Sequence, residues 1–121
     1  MIDAELLAVI AQAEREGWTE LDLSGNDLEG LPSEIGRLQS LERLILGKWD
    51  DEEEEKGNRL TAIPQEIFQL TNLKELHIAF NQITAIPDAI ANLADLAIQF
   101  QIFPDKFFLK KISIHHEPTA I

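Results

Sequence analysis

Aliphatic residues recur in one fixed order from Leu21 to Leu96. Leu21, Leu23, Asn26, Leu28, Leu31, Pro32, Ile35, Leu38 and Leu41 make a unit, which returns as Leu44, Leu46, Asn58, Leu60, Ile63, Pro64, Ile67, Leu70 and Leu73. It returns again as Leu76, Ile78, Asn81, Ile83, Ile86, Pro87, Ile90, Leu93 and Leu96. The first and third units take 23 residues and the second 32, so the second carries a nine-residue insertion. The L-x-L alternation is the period of a short strand with one buried face. The Asn that follows falls where the chain turns, and its amide both donates and accepts. Asn26, Asn58 and Asn81 are therefore expected to form a ladder that pairs backbone groups of neighbouring units. Leu-Pro-x-x-Ile-x-x-Leu returns the chain, with Pro setting φ at the start of a loose helical turn. One unit cannot bury its own flanks, so the units must stack and both ends must be covered.

The pattern predicts an α/β right-handed solenoid with a short parallel sheet on its concave face. Three repeats occupy 21–98, an acidic insertion 48–56, an N-terminal helical cap 1–20 and a divergent C-terminal cap 99–121. In the first of these caps a helix is expected over Asp3 to Glu16, with Asp3 capping it, Leu6, Leu7, Ile10 and Ala13 on one stripe, and Gly17 stopping it. Such a helix serves either to cover the first coil or to dock on a partner or membrane; its acidic flank and its place just before the first strand favour the cover, with Trp18 packed beneath. Beyond Leu96 the template breaks. A fourth strand would open with Leu at 99, where Gln99 stands, and Ile98, Phe100 and Ile102 alternate one position out of step. A last strand followed by a returning segment from Phe107 to Ile114 is expected there, with Lys110 and Lys111 outward. Pairing of that apolar end with a second molecule stays open as an alternative.

Strand residues that face away from the core are the candidate site. They are Glu20, Asp22 and Ser24, then Arg43, Ile45 and Gly47, then Glu75, His77 and Ala79. Neighbouring strands are about 4.8 Å apart, which puts Arg43 within reach of Glu20 and Glu75. Ile45 is the single large aliphatic side chain expected outward, and with Phe80 and Trp49 it would centre a small apolar contact patch. The insertion is expected as a solvated loop overhanging the rim of that face. It carries Asp50, Asp51, Glu52, Glu53, Glu54 and Glu55 in succession, without the alternate spacing or turn glycine of a calcium loop.

Composition narrows the partner. In 121 residues there are 10 Lys and Arg against 22 Asp and Glu, a net charge of -12, which disfavours nucleic acid and anionic lipid and favours a protein with a basic surface. The chain has no Cys and no N-x-S/T acceptor, so a reducing compartment is expected. Asp3 and Glu5 stand where a signal peptide would be basic, and no apolar run approaches the length of a membrane span. Cytoplasm follows as the expected location.

Residues Leu21 to Leu96, with Leu31-Pro32, Ile63-Pro64 and Ile86-Pro87 each followed three residues on by Ile, resemble leucine-rich repeats of the LPxxI type. These occur in intracellular signalling scaffolds and in the N-terminal arrays of Roco-type GTPases. The opening ELLAVIAQAEREGWTELDLSGNDLEGLPSEIGRLQSLERL is similar to the start of bacterial proteins in which such an array precedes a Ras-like domain. The resemblance covers about two-thirds of the chain and implies a fold far more specifically than a function. GTPase activity does not carry over, because Gly47-Lys48-Trp49 lacks the upstream glycine spacing and the hydroxyl of a phosphate-binding loop.

No catalytic constellation stands out. The chain has no Cys nucleophile, no G-x-S-x-G and no H-E-x-x-H, and adjacent His115 and His116 cannot face one metal from a regular strand. His77 is read as an ordinary surface histidine. The expectation is a non-catalytic interaction module with no cofactor and no metal, monomeric or weakly dimeric. The alternative is a self-associating fragment of a larger repeat protein, joined through its C-terminal aromatic residues.

Overall fold

The computed structural model describes residues 3–49, 55–93, 96–100 and 108–111. Helix α1, Asp3–Glu16, opens the described chain. Asp3 lies inside its first turn with Glu5, where both carboxylates meet the positive end of the helix dipole; the expected N-cap role for Asp3 is not what the structure has. Leu6, Ile10 and Ala13 are buried, but Leu7 is 40% exposed. A 3.6-residue period cannot turn both Leu6 and Leu7 fully inward, and the helix spends its contact on Leu6. Gly17 ends it at φ +65. The Trp18 amide donates to Ala13 and the Gly17 amide to Glu14, at 3.0 and 3.3 Å, which is the paired C-terminal closure that a left-handed residue permits.

Six strands form one sheet: β1 Glu20–Asp22, β2 Arg43–Trp49, β3 Glu55–Lys56, β4 Glu75–Ile78, β5 Ala97–Phe100 and β6 Phe108–Lys111. The spatial order is β1-β2-β4-β5-β6, with β3 attached to β2. Strands β1, β2, β4 and β5 run parallel, while β3 and β6 are antiparallel to their neighbours. The sheet is thus mixed, where the repeat pattern alone called for a parallel one. Leu21, Leu44, Leu76 and Ile98 stand in register across it, so the frame that slips by one residue in sequence is restored in space by a shorter third unit.

Each return segment is a short 3₁₀ turn: Ser33–Arg37, Gln65–Gln69 and Asp88–Asn92. Pro32, Pro64 and Pro87 precede them at φ -71, -60 and -65, extended in ψ. Each proline carbonyl accepts the amide of the Ile three residues on, at 3.1 Å in all three units. That isoleucine points into a continuous core, in which Ile35, Ile67, Leu44, Leu70 and Leu76 are fully buried. The equivalent positions Ile63 and Ile86 differ: Ile63, with a unit on either side, is 4% exposed, and Ile86, in the last full unit, is 36% exposed. Phe68 joins the core although no template position marks it.

Both described ends of the insertion belong to the sheet. Strand β2 runs on to Trp49, and β3 folds back on it with Lys48 opposite Lys56 and Trp49 opposite Glu55. Asp50, Asp51, Glu52 and the two residues after them lie outside the described residues. Two glycines frame the hairpin. A Cβ on Gly47 would strike the carbonyl of Ala79, and one on Gly57 the carbonyl of Phe80, because β2 and β4 shift register between Ile45 and Gly47 and the third unit's turn closes directly on the hairpin base. Phe80 itself has φ 58.

Candidate interaction surface

Alternation along the strands sends one set of residues into the core and the other to the opposite, outer face. Its first row is Glu20–Arg43–Glu75 and its second Asp22–Ile45–His77, both read directly from the strand register. Arg43 is the hub of the first row. Its Nη1 reaches Glu20 at 2.7 Å and its Nε reaches Glu75 at 3.2 Å, with all three side chains 41–51% exposed. The Glu20 hydrogen bond raises the guanidinium pKa further above its already high value.

In the second row Asp22 is exposed, but its two neighbours are buried. Ile45 is 4% exposed and His77 7%, so Ile45 does not stand open at the centre of the expected apolar patch, and His77 is not a surface histidine. The long side chains on either side of Ile45 explain this. Arg43 spans the first row, and Lys48 turns back across the face to Asp22, Nζ to Oδ2 2.5 Å. Partial burial pushes the Asp22 carboxyl up, but the Lys48 ammonium and the Ser24 hydroxyl and amide outweigh it and hold it below the usual range. His77 Nε2 lies 2.9 Å from Glu75 and 3.4 Å from Arg43 Nε. The shorter contact assigns its proton to the bond donated to Glu75. That bond, aided by Arg43, holds the Glu75 carboxyl below its ordinary range despite some burial.

Phe80 is half-buried in the turn after β4, off the strand face. Among the expected rim residues, Trp49 ends β2. Lys48 escaped the sequence reading, which began the insertion at residue 48; strict alternation from Leu44 and Leu46 would turn it inward, and the register shift between Ile45 and Gly47 left no signal in the sequence.

Behind the turns lies the asparagine ladder. Asn58, 7% exposed, accepts from the amides of Asn26 and Leu28 at 3.1 and 2.9 Å and donates to the carbonyls of Leu23 and Leu46 at 3.0 and 2.8 Å. Asn81 accepts from Leu60 and donates to Leu46, and Asn26 donates to Leu23 and Ser24. Every buried side-chain nitrogen or oxygen among the described residues has a partner. Among those residues no group of three or more His, Cys, Asp or Glu could hold a metal, and no helix is long and apolar enough to cross a membrane.

Comparison with known proteins places these units. A family model described as Leucine rich repeat matches residues 56–98, and a second of the same description matches 18–38. The stretch between them holds β2 and the hairpin. Mouse podocan is 38% identical over 118 residues, covering 87% of this chain and 18% of that protein. Plant intracellular Ras-group-related LRR protein 8 of rice (Oryza sativa subsp. japonica) is 34% identical over 95 residues, 64% of this chain and 25% of its own. Adenylate cyclase of Neurospora crassa is 34% identical over 86 residues, 70% of this chain and 3% of the enzyme. The chain thus spans a quarter or less of these curated relatives. A solved structure of an LRR protein from Leptospira interrogans is similar at 24% identity and a TM-score of 0.37, covering 73% of this chain and 32% of that one. With its repeated units matched on both sides of the hairpin, the chain is a leucine-rich repeat protein.

Proposed function

We propose that this chain is a non-catalytic protein-interaction module whose binding surface is the outer face of the sheet, centred on Arg43, with the acidic insertion at its edge. One observation carries the reading: three half-exposed charges, Glu20, Arg43 and Glu75, are fixed on adjacent strands beside buried Ile45 and His77. A rigid sheet that holds its polar groups in place loses little freedom on binding. Leucine-rich repeat proteins in general bind protein partners and act as scaffolds, which supports the class. The net charge of -12, with Asp50, Asp51 and Glu52 beside this face in sequence order, favours a partner with a basic surface. A cytoplasmic, Ras-linked signalling role fits the similarity to the plant intracellular Ras-group-related protein and the LPxxI spacing shared with Roco-type arrays. Affinity capture from lysate tests the reading with wild type and Arg43→Glu side by side. Loss of a protein that wild type retains is the expected result, with unfolding midpoints matched; equal recovery of every protein contradicts it.

A second reading rests on β6, which ends the described sheet order. Edge strands pair with further strands, and a second copy of the chain would supply one. Sedimentation velocity across a concentration series separates the readings, because a strictly monomeric profile removes this one.

A further inference from the structure

The first unit has an uncovered flank. Helix α1 packs on the 3₁₀ turn of that unit, Ser33–Arg37, and buries Leu6, Ile10 and Ala13 in the core, but a gap is left between its first turns and the turn over residues 27–34. Between that turn and the start of α1 is a groove of about 510 Å³, within the usual range for a binding cleft, about 300–1,000 Å³. Its floor is apolar, formed by buried Leu6 and Leu28 and half-buried Leu31, and Leu7 stands in its wall at 40% exposure. Its rim is acidic: Asp3, Asp27, Glu29 and Glu34 face a single cation, Arg59. Arg59 is already engaged, at 2.6 Å from Asp27 and 3.1 Å from Glu29. A Cβ on Gly30, in the same lining, would meet nothing within 4 Å, so there is room for a side chain there.

We propose that this groove binds an extended segment of a protein partner in which a large apolar side chain lies between Lys or Arg residues. The apolar side chain would cover exposed Leu7 and the open part of half-buried Leu31. Flanking cations would meet the rim, where acidic groups outnumber the one arginine. The site shares no residue with the outer sheet face, so it stands or falls separately from the proposed function.

The test is a titration of the isotope-labelled full chain with a synthetic peptide, Lys-Arg-Leu-Trp-Leu-Arg-Lys, followed by amide chemical shifts. Two controls keep one feature each: Glu-Asp-Leu-Trp-Leu-Asp-Glu and Lys-Arg-Ser-Ser-Ser-Arg-Lys. The amides of Leu7, Gly30 and Leu31 move with the first peptide alone, and added salt weakens its binding. Gly30→Phe fills the groove from its open side and weakens binding by about tenfold or more. Should that variant not fold, Leu7→Ser at an exposed position carries the same expectation. Four results would overturn the proposal: no shifts, shifts spread over the acidic surface, shifts that survive Gly30→Phe, or equal binding by the serine control. So would a groove already filled, either by Met1 and Ile2, seen as contacts from the Ile2 methyls to Leu31, or by a second copy, seen as concentration-dependent shifts of these amides without peptide.

Discussion

Asn58 does more for this molecule than any other polar side chain described. Its one amide pairs two backbone N–H groups of the first unit and one carbonyl from each of two units. Replacing it with Ala leaves those groups facing an apolar interior, at about 1–3 kcal/mol for each that finds no water. Asn58→Ala is expected to cost on the order of 3–4 kcal/mol, and Asn81→Ala less, because half-buried Asn81 leaves its partners closer to solvent. Urea unfolding midpoints check the order; an Asn58→Ala variant as stable as wild type would remove the ladder from the account. The outer-face carboxylates set a second expectation. Asp22 and Glu75 lie below their ordinary values, near about 4 when unfolded. The unfolded chain therefore binds more protons in acid, and the contribution of these pairs is whole above about pH 4.5 and lost as pH falls through the lower folded values. Both side chains are 35–47% exposed, so each pair contributes about 0–1 kcal/mol. Asp22→Asn should flatten the fall in stability below about pH 4.5 while leaving the value at pH 7 slightly lower, read from denaturant midpoints at each pH.

Among the elements, the β2–β3 hairpin shows where sequence reasoning ran out. The L-x-L and L-P-x-x-I spacings announced the strands and the 3₁₀ turns, because burial on one face imposes a period that any reader can count. The insertion carries no such period. Six carboxylates in a row read as a solvated loop, and only the cross-strand pairing of Lys48 with Lys56 makes a hairpin of its ends. Burial of Ile45 and His77 was hidden for a similar reason: strand alternation gives the direction of a side chain, not whether Arg43 and Lys48 lie down beside it. Gly47 and Gly57 were visible as residues but not as requirements, since the backbone that crosses them belongs to the third unit. Gly47→Ala is expected to destabilise by more than about 2 kcal/mol, the range for forced overpacking against backbone, whereas Gly30→Ala is expected to be near neutral. Thermal unfolding of the two variants tests this, and equal midpoints would mean that the hairpin base tolerates a side chain.

The described residues form a short stack whose middle unit has a neighbour on either side. Half-buried Leu31 in the first unit and Ile86, 36% exposed, in the third are the less covered counterparts of buried Ile63, which has a described unit on either side. The repeat pattern made this gradient legible in outline, but which end residues α1 would cover depended on whether Leu6 or Leu7 turned inward. The binding role proposed for the outer face rests on rigidity in the middle of the stack. Carboxylate footprinting tests that claim most directly, because the chain is rich in Asp and Glu on every side. With the captured partner bound, carbodiimide labelling of Glu20 and Glu75 should fall sharply while Glu34 and Glu66, on the 3₁₀ side, label as before. Undiminished labelling of Glu20 and Glu75, with protection of Glu34 and Glu66 instead, would contradict the account.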